Sequence, residues 1–340
     1  MEIAATANFV RVFALTAISF LVAILWTPLL AHFLYRWRLT KRLRETAWDG
    51  QPAKVFRRMH AAKAGTPTMG GMLIWITAAV ITVIFNLSRS QTWLPVFVLV
   101  ASGLLGLIDD ILNVRGRGLA RGLSTKLKFI FQFAIAGLGA WWFYYKLQFS
   151  QIGLPGGHLL GLPPALDIGW LYVPLFILTV VFITNAVNIT DGLDGLAGGT
   201  LAASFAAILG VALVHGQAGI AAFAGTMIGA LLAFLWFNIH PARFFMGDTG
   251  AFALGATLAV LAFLTNTAVL LPIIGFVFVV EALSSLLQWF SKRFFGRRIF
   301  LIAPLHHHFE AQGWPETKVT MRFWIVAAVM AAIGMVIALI

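Results

Sequence analysis

Between two long apolar segments the chain reads Asn185-Ala-Val-Asn-Ile-Thr-Asp191-Gly-Leu-Asp194-Gly-Leu-Ala-Gly-Gly199. This stretch carries two carboxylates, two side-chain amides and four glycines. A carboxylate at the edge of a lipid bilayer is costly unless a partner neutralises it or a function uses it. The stretch therefore predicts a polar site at the border of a membrane-embedded core.

The whole chain has the composition of a membrane protein. Hydrophobic residues make up 60% of its 340 residues and charged residues only 11%. Apolar runs of about 20 residues, long enough to cross a bilayer as helices, recur along it. They predict an all-α polytopic membrane protein, a single domain over residues 1–340 with about ten transmembrane helices. The predicted spans are residues 9–35, 70–87, 93–112, 129–147, 170–188, 196–214, 218–237, 250–265, 268–290 and 323–340.

Lysine and arginine are distributed unevenly among the loops. The loops after the first, third, seventh and ninth spans hold 21 of the 24 basic residues, and only Arg11, Arg89 and Lys146 fall on the other side. Cytoplasmic loops are enriched in basic residues, so these four loops are predicted to be cytoplasmic and both termini to face outward. The same bias explains the net charge of +12 without a nucleic-acid partner. The absence of cysteine excludes disulfides and thiol chemistry.

One outer connection, residues 148–169, is long and rich in glycine and proline. Its apolar residues between turn signals predict a small hairpin on the outer surface, without a catalytic role.

The acidic residues are concentrated on the predicted cytoplasmic side. Glu2 and Asp167 lie outside, and Glu281 lies within the ninth span, where we interpret it as a buried, paired structural group or a proton relay. The other nine are Glu45, Asp49, Asp109, Asp110, Asp191, Asp194, Asp248, Glu310 and Glu316. Their distribution predicts one active cleft at the cytoplasmic edge of the membrane.

Two motifs place paired acids at helix ends. Asp109 and Asp110 end the third span and suit a metal-diphosphate site or a general base; the alternative is a solvated helix end. Asn188, Asp191 and Asp194 are spaced three residues apart, and they share one face if the sixth helix begins early. Their alternative role is helix capping.

Three further motifs complete the predicted cleft. The segment from Asn238 to Gly250 places Asp248 after Gly247, as a hard-cation ligand or a helix cap, with Phe244 or Phe245 available to stack on a base. Residues 306–308 are three consecutive histidines, which suit phosphate contacts better than zinc, or form a structural turn. The segment 63–71 offers Lys63 and Thr68 to a phosphate without the Walker A order.

Together these motifs predict chemistry on a phosphorylated substrate. Carboxylates with surplus cationic side chains suit Mg²⁺ and a polyphosphate. A site at the membrane edge admits one reactant from water and the other from lipid. Phosphoryl transfer there needs positioning, charge neutralisation and a base.

In these motifs the chain resembles the phospho-N-acetylmuramoyl-pentapeptide transferase family, within the polyprenyl-phosphate N-acetylhexosamine-1-phosphate transferase superfamily. The resemblance covers nearly the whole chain, and Pro304-Leu-His-His-His-Phe-Glu310 favours this family within the superfamily. It implies that UDP-N-acetylmuramoyl-pentapeptide gives its phospho-sugar to undecaprenyl phosphate, forming lipid I and UMP in peptidoglycan synthesis. It also implies Mg²⁺, a homodimer, and a multi-pass location in the bacterial inner membrane.

The resemblance also implies roles for individual residues. Asp248 is expected to bind Mg²⁺, Asp109 to act as the base toward the lipid phosphate, and Asp110 to orient phosphates, although a two-step path with an Asp nucleophile stays open. Where many members read Asp-Asp-Tyr-x-Lys, this chain has Asn113, so either Lys126, Lys128 or Arg115 is expected to compensate or the affinity for phosphate is lower. The expected substrate-binding residues are Lys63, Thr68, Lys128, Asn188, Asp191, Asp194, Asn238, Phe245, Gly247, His306, His307 and His308.

Two alternatives stay open. A related transferase moves N-acetylglucosamine-1-phosphate to the same lipid and shares the acidic motifs. An ion-coupled transporter uses acids at mid-membrane and on both faces, whereas nine of the 12 acids here lie on one face.

Overall fold

A computed structural model describes residues 2–40, 63, 65–88, 91–116, 122–157, 161 and 163–340. These residues are predominantly helical, as predicted. The helices are α1 (Glu2–Arg36), α2 (Met72–Phe85), α3 (Trp93–Arg115), α4 (Thr125–Trp141), α5 (Tyr172–Thr190), α6 (Leu196–Val214), α7 (Ala218–Asn238), α8 (Gly247–Leu264), α9 (Leu271–Ile274), α10 (Phe276–Phe295), α11 (Leu305–Ala311) and α12 (Glu316–Leu339). The predicted acids Glu45 and Asp49 lie outside the described residues.

The helices confirm a polytopic membrane protein. Within the described ranges, eight helices are long and apolar enough to cross a bilayer, and α9 with α10 makes a ninth candidate. That ninth candidate is bent by 82° at Gly275, so it is broken where the hydropathy pattern predicts one straight span. At the second predicted span, α2 is apolar but only 14 residues long.

Helix α8 forms the centre of the bundle, and every one of its residues is buried. It packs between α3 and α5, and small residues allow the close approach. A Cβ on Gly106 of α3 would collide with the backbone of Asp248, and a Cβ on Gly255 would press against Thr184 of α5. The crossing of α3 and α8 therefore brings Asp109 and Asp248 to the same end of the bundle.

The predicted hairpin is present between α4 and α5. Strands β1 (Gln151–Gly153) and β2 (Ala165–Asp167) pair antiparallel, with Gln151 opposite Asp167. The amide of Gly153 donates a 2.8 Å hydrogen bond to Asn266 Oδ1, just beyond the C-terminus of α8. The hairpin thus lies at the opposite end of α8 from Asp248.

The segment between α5 and α6 differs from the prediction of one shared helix face. Helix α5 ends at Thr190, and α6 begins only at Leu196, after Gly195 adopts a left-handed conformation with φ of 78°. Glycine is the residue that adopts this conformation without a steric penalty. Because the chain turns there, the prediction that Asn188, Asp191 and Asp194 share one helix face is wrong.

Candidate active site

Two buried acids, Asp109 and Asp248, meet around Lys128 at the end of the bundle, and Asp110, also buried, follows Asp109 in α3. We call Asp109, Asp110, Asp248 and Lys128 the carboxylate centre. Lys128 Nζ lies 2.6 Å from Asp109 Oδ2 and 3.1 Å from Asp248 Oδ2. The Asn188 amide donates a 3.1 Å hydrogen bond to Asp248 Oδ1. These predicted residues therefore come from four helices into one contact network.

The ends of the helices aim these side chains inward. Asp248 lies in the first turn of α8, where the helix dipole and the free amides favour a negative charge. The amide of Thr249 donates a 3.1 Å hydrogen bond to Asp110 Oδ2. Lys128 lies in the first turn of α4, whose N-cap Ser124 accepts a hydrogen bond from the amide of Leu127. Gly247 has a φ of 75°, and a Cβ there would collide with Asp110 and Thr68.

Asp109 is held from two further directions. The Asn113 amide donates to Asp109 Oδ2 over 2.8 Å, and the backbone amide of Leu123 donates to Oδ1 over 2.7 Å. With Lys128, the carboxylate accepts three hydrogen bonds, which fix its orientation. Asn113, the residue that departs from the common Asp-Asp-Tyr-x-Lys pattern, therefore contacts Asp109 directly, and Lys128 supplies the positive charge.

A second cluster, which we call the lysine clamp, joins Lys63, Asp194, His240 and Glu316. Lys63 Nζ lies 2.8 Å from Asp194 Oδ1 and also contacts Glu316 Oε1. His240 Nδ1 lies 3.0 Å from Asp194 Oδ2, and the amide of Asp194 donates to Glu316 Oε1 over 2.7 Å. The clamp connects the segment before α2, the α5–α6 loop, the α7–α8 loop and the start of α12.

The α7–α8 loop carries two predicted substrate contacts in different environments. Asn238 is buried, and its amide bonds both the Phe244 carbonyl and the amide of Gly195. Phe244 is fully buried in the core, whereas Phe245 is only half-buried, and Lys63 Nζ lies 5.8 Å from its ring centroid. Of the two rings, Phe245 is therefore the one available for stacking, and Asn238 shapes the loop.

Two groups of ligand atoms can be compared as cation sites. Oxygen and nitrogen atoms of Asp194, His240 and Glu316 lie within 4.8 Å of one another, but the ammonium of Lys63 already contacts both carboxylates. At the carboxylate centre, three aspartates and the carbonyl of Asn188 offer hard oxygen ligands, which suit Mg²⁺. One lysine offsets only part of their charge. The carboxylate centre is therefore the better fit for a divalent cation.

The three histidines occupy different environments. His306 is fully buried, with Nδ1 2.9 Å from Glu281 Oε2. His307 Nδ1 lies 2.7 Å from Glu310 Oε2. His308 bonds within its own loop, because Nδ1 accepts from the amide of Leu301 and Nε2 lies 3.1 Å from the Gln312 amide.

Glu310, beside His307, has a raised pKa. Burial raises the pKa of its carboxyl to about 7, and the nearby charge of Glu316 adds to the increase. The charges of Lys63 and Asp194 also act on Glu310, so the histidine loop lies close to the lysine clamp.

Comparison with known proteins shows the family of the chain. Residues 92–266 match the family described as Glycosyl transferase family 4. The phospho-N-acetylmuramoyl-pentapeptide-transferase of Chloroflexus aggregans is 42% identical over 97% of this chain and 90% of its own length. The proteins of that name from Geobacillus thermodenitrificans (40% identity, 94% of this chain and 96% of theirs) and Bacillus velezensis (42%, 94% and 95%) are similarly close.

The chain belongs to the phospho-N-acetylmuramoyl-pentapeptide-transferase family.

Among the remaining predicted positions, Thr68 and Asp191 lie close to other parts of the site. Thr68 is buried beside Gly247, and its Oγ1 has no hydrogen-bond partner among the described residues. Asp191 is half-buried at the C-terminus of α5. Both positions are compatible with the substrate-contact roles that the phospho-N-acetylmuramoyl-pentapeptide-transferase family suggests, and those roles stay predictions.

Several contacts of this family member were not predicted from its sequence. His240 and Glu316 join the lysine clamp, and Asn113 bonds Asp109. The sequence signals were the membership of Glu316 among the nine acids of the predicted cleft, the proximity of His240 to Asp248, and that of Asn113 to the acidic pair. Glu281 had a clearer signal, an acid within an apolar run, although its partner His306 lies 25 residues away.

Proposed function

We propose that this chain transfers phospho-N-acetylmuramoyl-pentapeptide from its UDP-activated form to undecaprenyl phosphate, giving lipid I and UMP for peptidoglycan synthesis. Relatives at about 40% identity over nearly the whole chain support this function. The observation that carries the proposal is the carboxylate centre, where acids from α3 and α8 share the ammonium of Lys128.

Within the proposed reaction, Asp109 acts as the base toward the lipid phosphate. Its three hydrogen bonds aim the carboxylate, and its contact with Lys128 places a cation where an anionic phosphate oxygen would approach. Asp110, which accepts a hydrogen bond from the amide of Thr249, orients the phosphates beside Asp109. Lys128 offsets negative charge as the phosphoryl group moves.

We propose Mg²⁺ as the cofactor, with Asp248 as its ligand and the other oxygens of the carboxylate centre close by. When bound, the ion would neutralise charge on the diphosphate. The fit rests on the hard oxygen atoms and on the excess of carboxylates over the single ammonium.

The nucleotide-sugar would occupy the space between the carboxylate centre, the lysine clamp and the histidine loop. The half-buried ring of Phe245 suits uracil, and the Asp191–Asp194 loop suits the uridine and ribose. Gly247, at the start of α8, and Thr68, which lies beside it, suit the diphosphate. Lys63 and Asp194 neutralise each other, so we assign Lys63 chiefly to holding this wall in place.

The proposal includes the location and the assembly. The bacterial relatives and the apolar helices support a multi-pass protein of the inner membrane. The distribution of basic residues supports a cytoplasmic cleft and outward termini. A homodimer is proposed from the family resemblance, and native mass spectrometry of protein released from lipid nanodiscs tests it.

The decisive experiment offers purified protein two donors in separate reactions. With undecaprenyl phosphate and Mg²⁺, UDP-N-acetylmuramoyl-pentapeptide should yield a lipid product, and chelation with EDTA should stop the reaction. UDP-N-acetylglucosamine should yield none. Exclusive use of UDP-N-acetylglucosamine would replace this proposal with the related hexosamine-phosphate transferase.

A further inference from the structure

Glu281 is a buried acid that the reaction outlined above does not use. It lies in α10, just after the 82° bend, and neither it nor its partner His306 is exposed. Its carboxylate accepts from the backbone amide of His306 over 3.1 Å and lies 2.9 Å from His306 Nδ1. Two contacts to one residue fix both the start of α11 and the orientation of the imidazole ring.

The other ring nitrogen of His306 has no such partner. Within the described part of the chain, Nε2 is buried without a hydrogen bond. Leaving a buried polar atom unsatisfied costs about 1–3 kcal/mol, so such atoms call for an explanation. Nε2 faces Gly192, where a Cβ would collide with it. Gly192 is itself half-buried and stands between Asp191 and Asp194, so His306 Nε2 lies directly beside the proposed nucleotide wall.

A carboxylate bound to Nδ1 determines which nitrogen of the imidazole ring carries the proton. An ionised carboxylate only accepts hydrogen bonds, so it keeps the proton on Nδ1 and leaves Nε2 as the second functional atom of the ring. It also stabilises the doubly protonated ring when an anion approaches Nε2.

We propose that Glu281 is a positioning residue that holds His306, against Gly192, with Nε2 directed at an anionic oxygen of the bound nucleotide. The inference rests on the proposed function, because it assigns that oxygen to a uridine nucleotide. No bond is formed or broken by Glu281; it acts through the imidazole alone. The bound phosphate completes the hydrogen bonding of His306.

The test compares UMP with uridine, which lacks the phosphate, as probes of the full-length protein. Glu281→Gln keeps the size of the side chain but can donate to Nδ1, and Gly192→Ala displaces the ring from the other side. We expect each variant to weaken UMP binding about 10-fold or more, since a hydrogen bond to a charged group is lost. Glu281→Gln, which lies away from the proposed uridine wall, should leave uridine binding within about 2-fold. Ligand-observed NMR measures both affinities.

Ser284→Ala is the matched control. Ser284 Oγ accepts from the amide of Leu305 over 3.1 Å, so this variant loosens the same α10–α11 contact without touching the ring. We expect its UMP affinity to stay near that of the wild type. The proposal would be overturned if Ser284→Ala lost as much UMP affinity as Glu281→Gln, or if Glu281→Gln lost affinity for UMP and uridine equally. Either result would mean that the role of Glu281 is structural.

A second readout does not depend on affinity. In protein labelled with ¹⁵N-histidine, with the His306 signal assigned by its loss in His306→Gln, Nδ1 should carry the proton in the wild type, and Glu281→Gln should change that tautomer. An unchanged tautomer would overturn the proposal even if Gly192→Ala does not fold. Transfer by the wild-type protein is measured in the same preparation, so failure of the proposed function is recognised separately.

Discussion

Replacing Lys128 with methionine removes the one cation that contacts both Asp109 and Asp248 among the residues that the structure describes. Its Nζ makes contacts of 2.6 and 3.1 Å, and a charge-assisted hydrogen bond contributes about 1.5–3 kcal/mol. Because a quarter of the lysine side chain is exposed, solvent screening reduces the total to roughly 2–4 kcal/mol. If Lys128 stabilises the transition state by this amount, its removal raises the barrier equally and turnover falls about 30- to 1,000-fold.

The assay is initial-rate UMP release at saturating donor and Mg²⁺, with the thermal midpoint recorded in parallel. Lys126→Met is the matched control, since Lys126 is exposed two residues earlier in the same helix turn. We expect the control to retain most of the wild-type turnover. Equal losses in the two variants, or near-normal turnover in Lys128→Met, would refute the assignment of Lys128 as the compensating cation.

Three further predictions concern the metal ligand, a buried acid and a helix crossing. Asp248→Asn should lower turnover about 10³-fold and weaken Mn²⁺ binding measured by electron paramagnetic resonance, and unchanged Mn²⁺ affinity would remove Asp248 as the ligand. Because the pKa of Glu310 is raised to about 7 by burial, the folded protein keeps a proton that the unfolded chain loses near pH 4.5, so its contribution to stability falls as pH rises through that window. Glu310→Gln should reduce the dependence of the thermal midpoint on pH between about pH 4.5 and 7. The same pH dependence in the variant as in the wild type would contradict the raised pKa. Gly106→Ala should destabilise by about 1–3 kcal/mol and reduce turnover, because its Cβ collides with the backbone of Asp248. Gly137→Ala, whose Cβ would meet no atom of the described residues within 4 Å, should change little in the same denaturation and activity assays.

Hydropathy was sufficient for the helices because each span depends on the local apolar content of about 20 residues. The bend at Gly275 was missed because the composition stays apolar on both sides of it. Similarly, the spacing of Asn188, Asp191 and Asp194 suggested one helix face, but the left-handed Gly195 separates two helices there.

The site could be predicted only in part. Asp109 and Asp248 were recognised as members of one site because Asp109 ends one apolar run and Asp248 precedes another. A charge in such a place is costly unless it is paired or functional. Their shared partner Lys128 was recognised only as one of several cations. The contact between Lys63 and Glu316 joins residues 253 positions apart, and no local pattern encodes such a pairing.

The central claim is transfer of a phospho-sugar, and the fate of the two donor phosphates tests it most directly. In a reaction with UDP-N-acetylmuramoyl-pentapeptide carrying ³²P in the β-phosphate, the account predicts that all transferred label appears in the lipid product and that unlabelled UMP is released. Release of labelled UDP, with a lipid product that lacks the label, would identify ordinary glycosyl transfer and contradict the account.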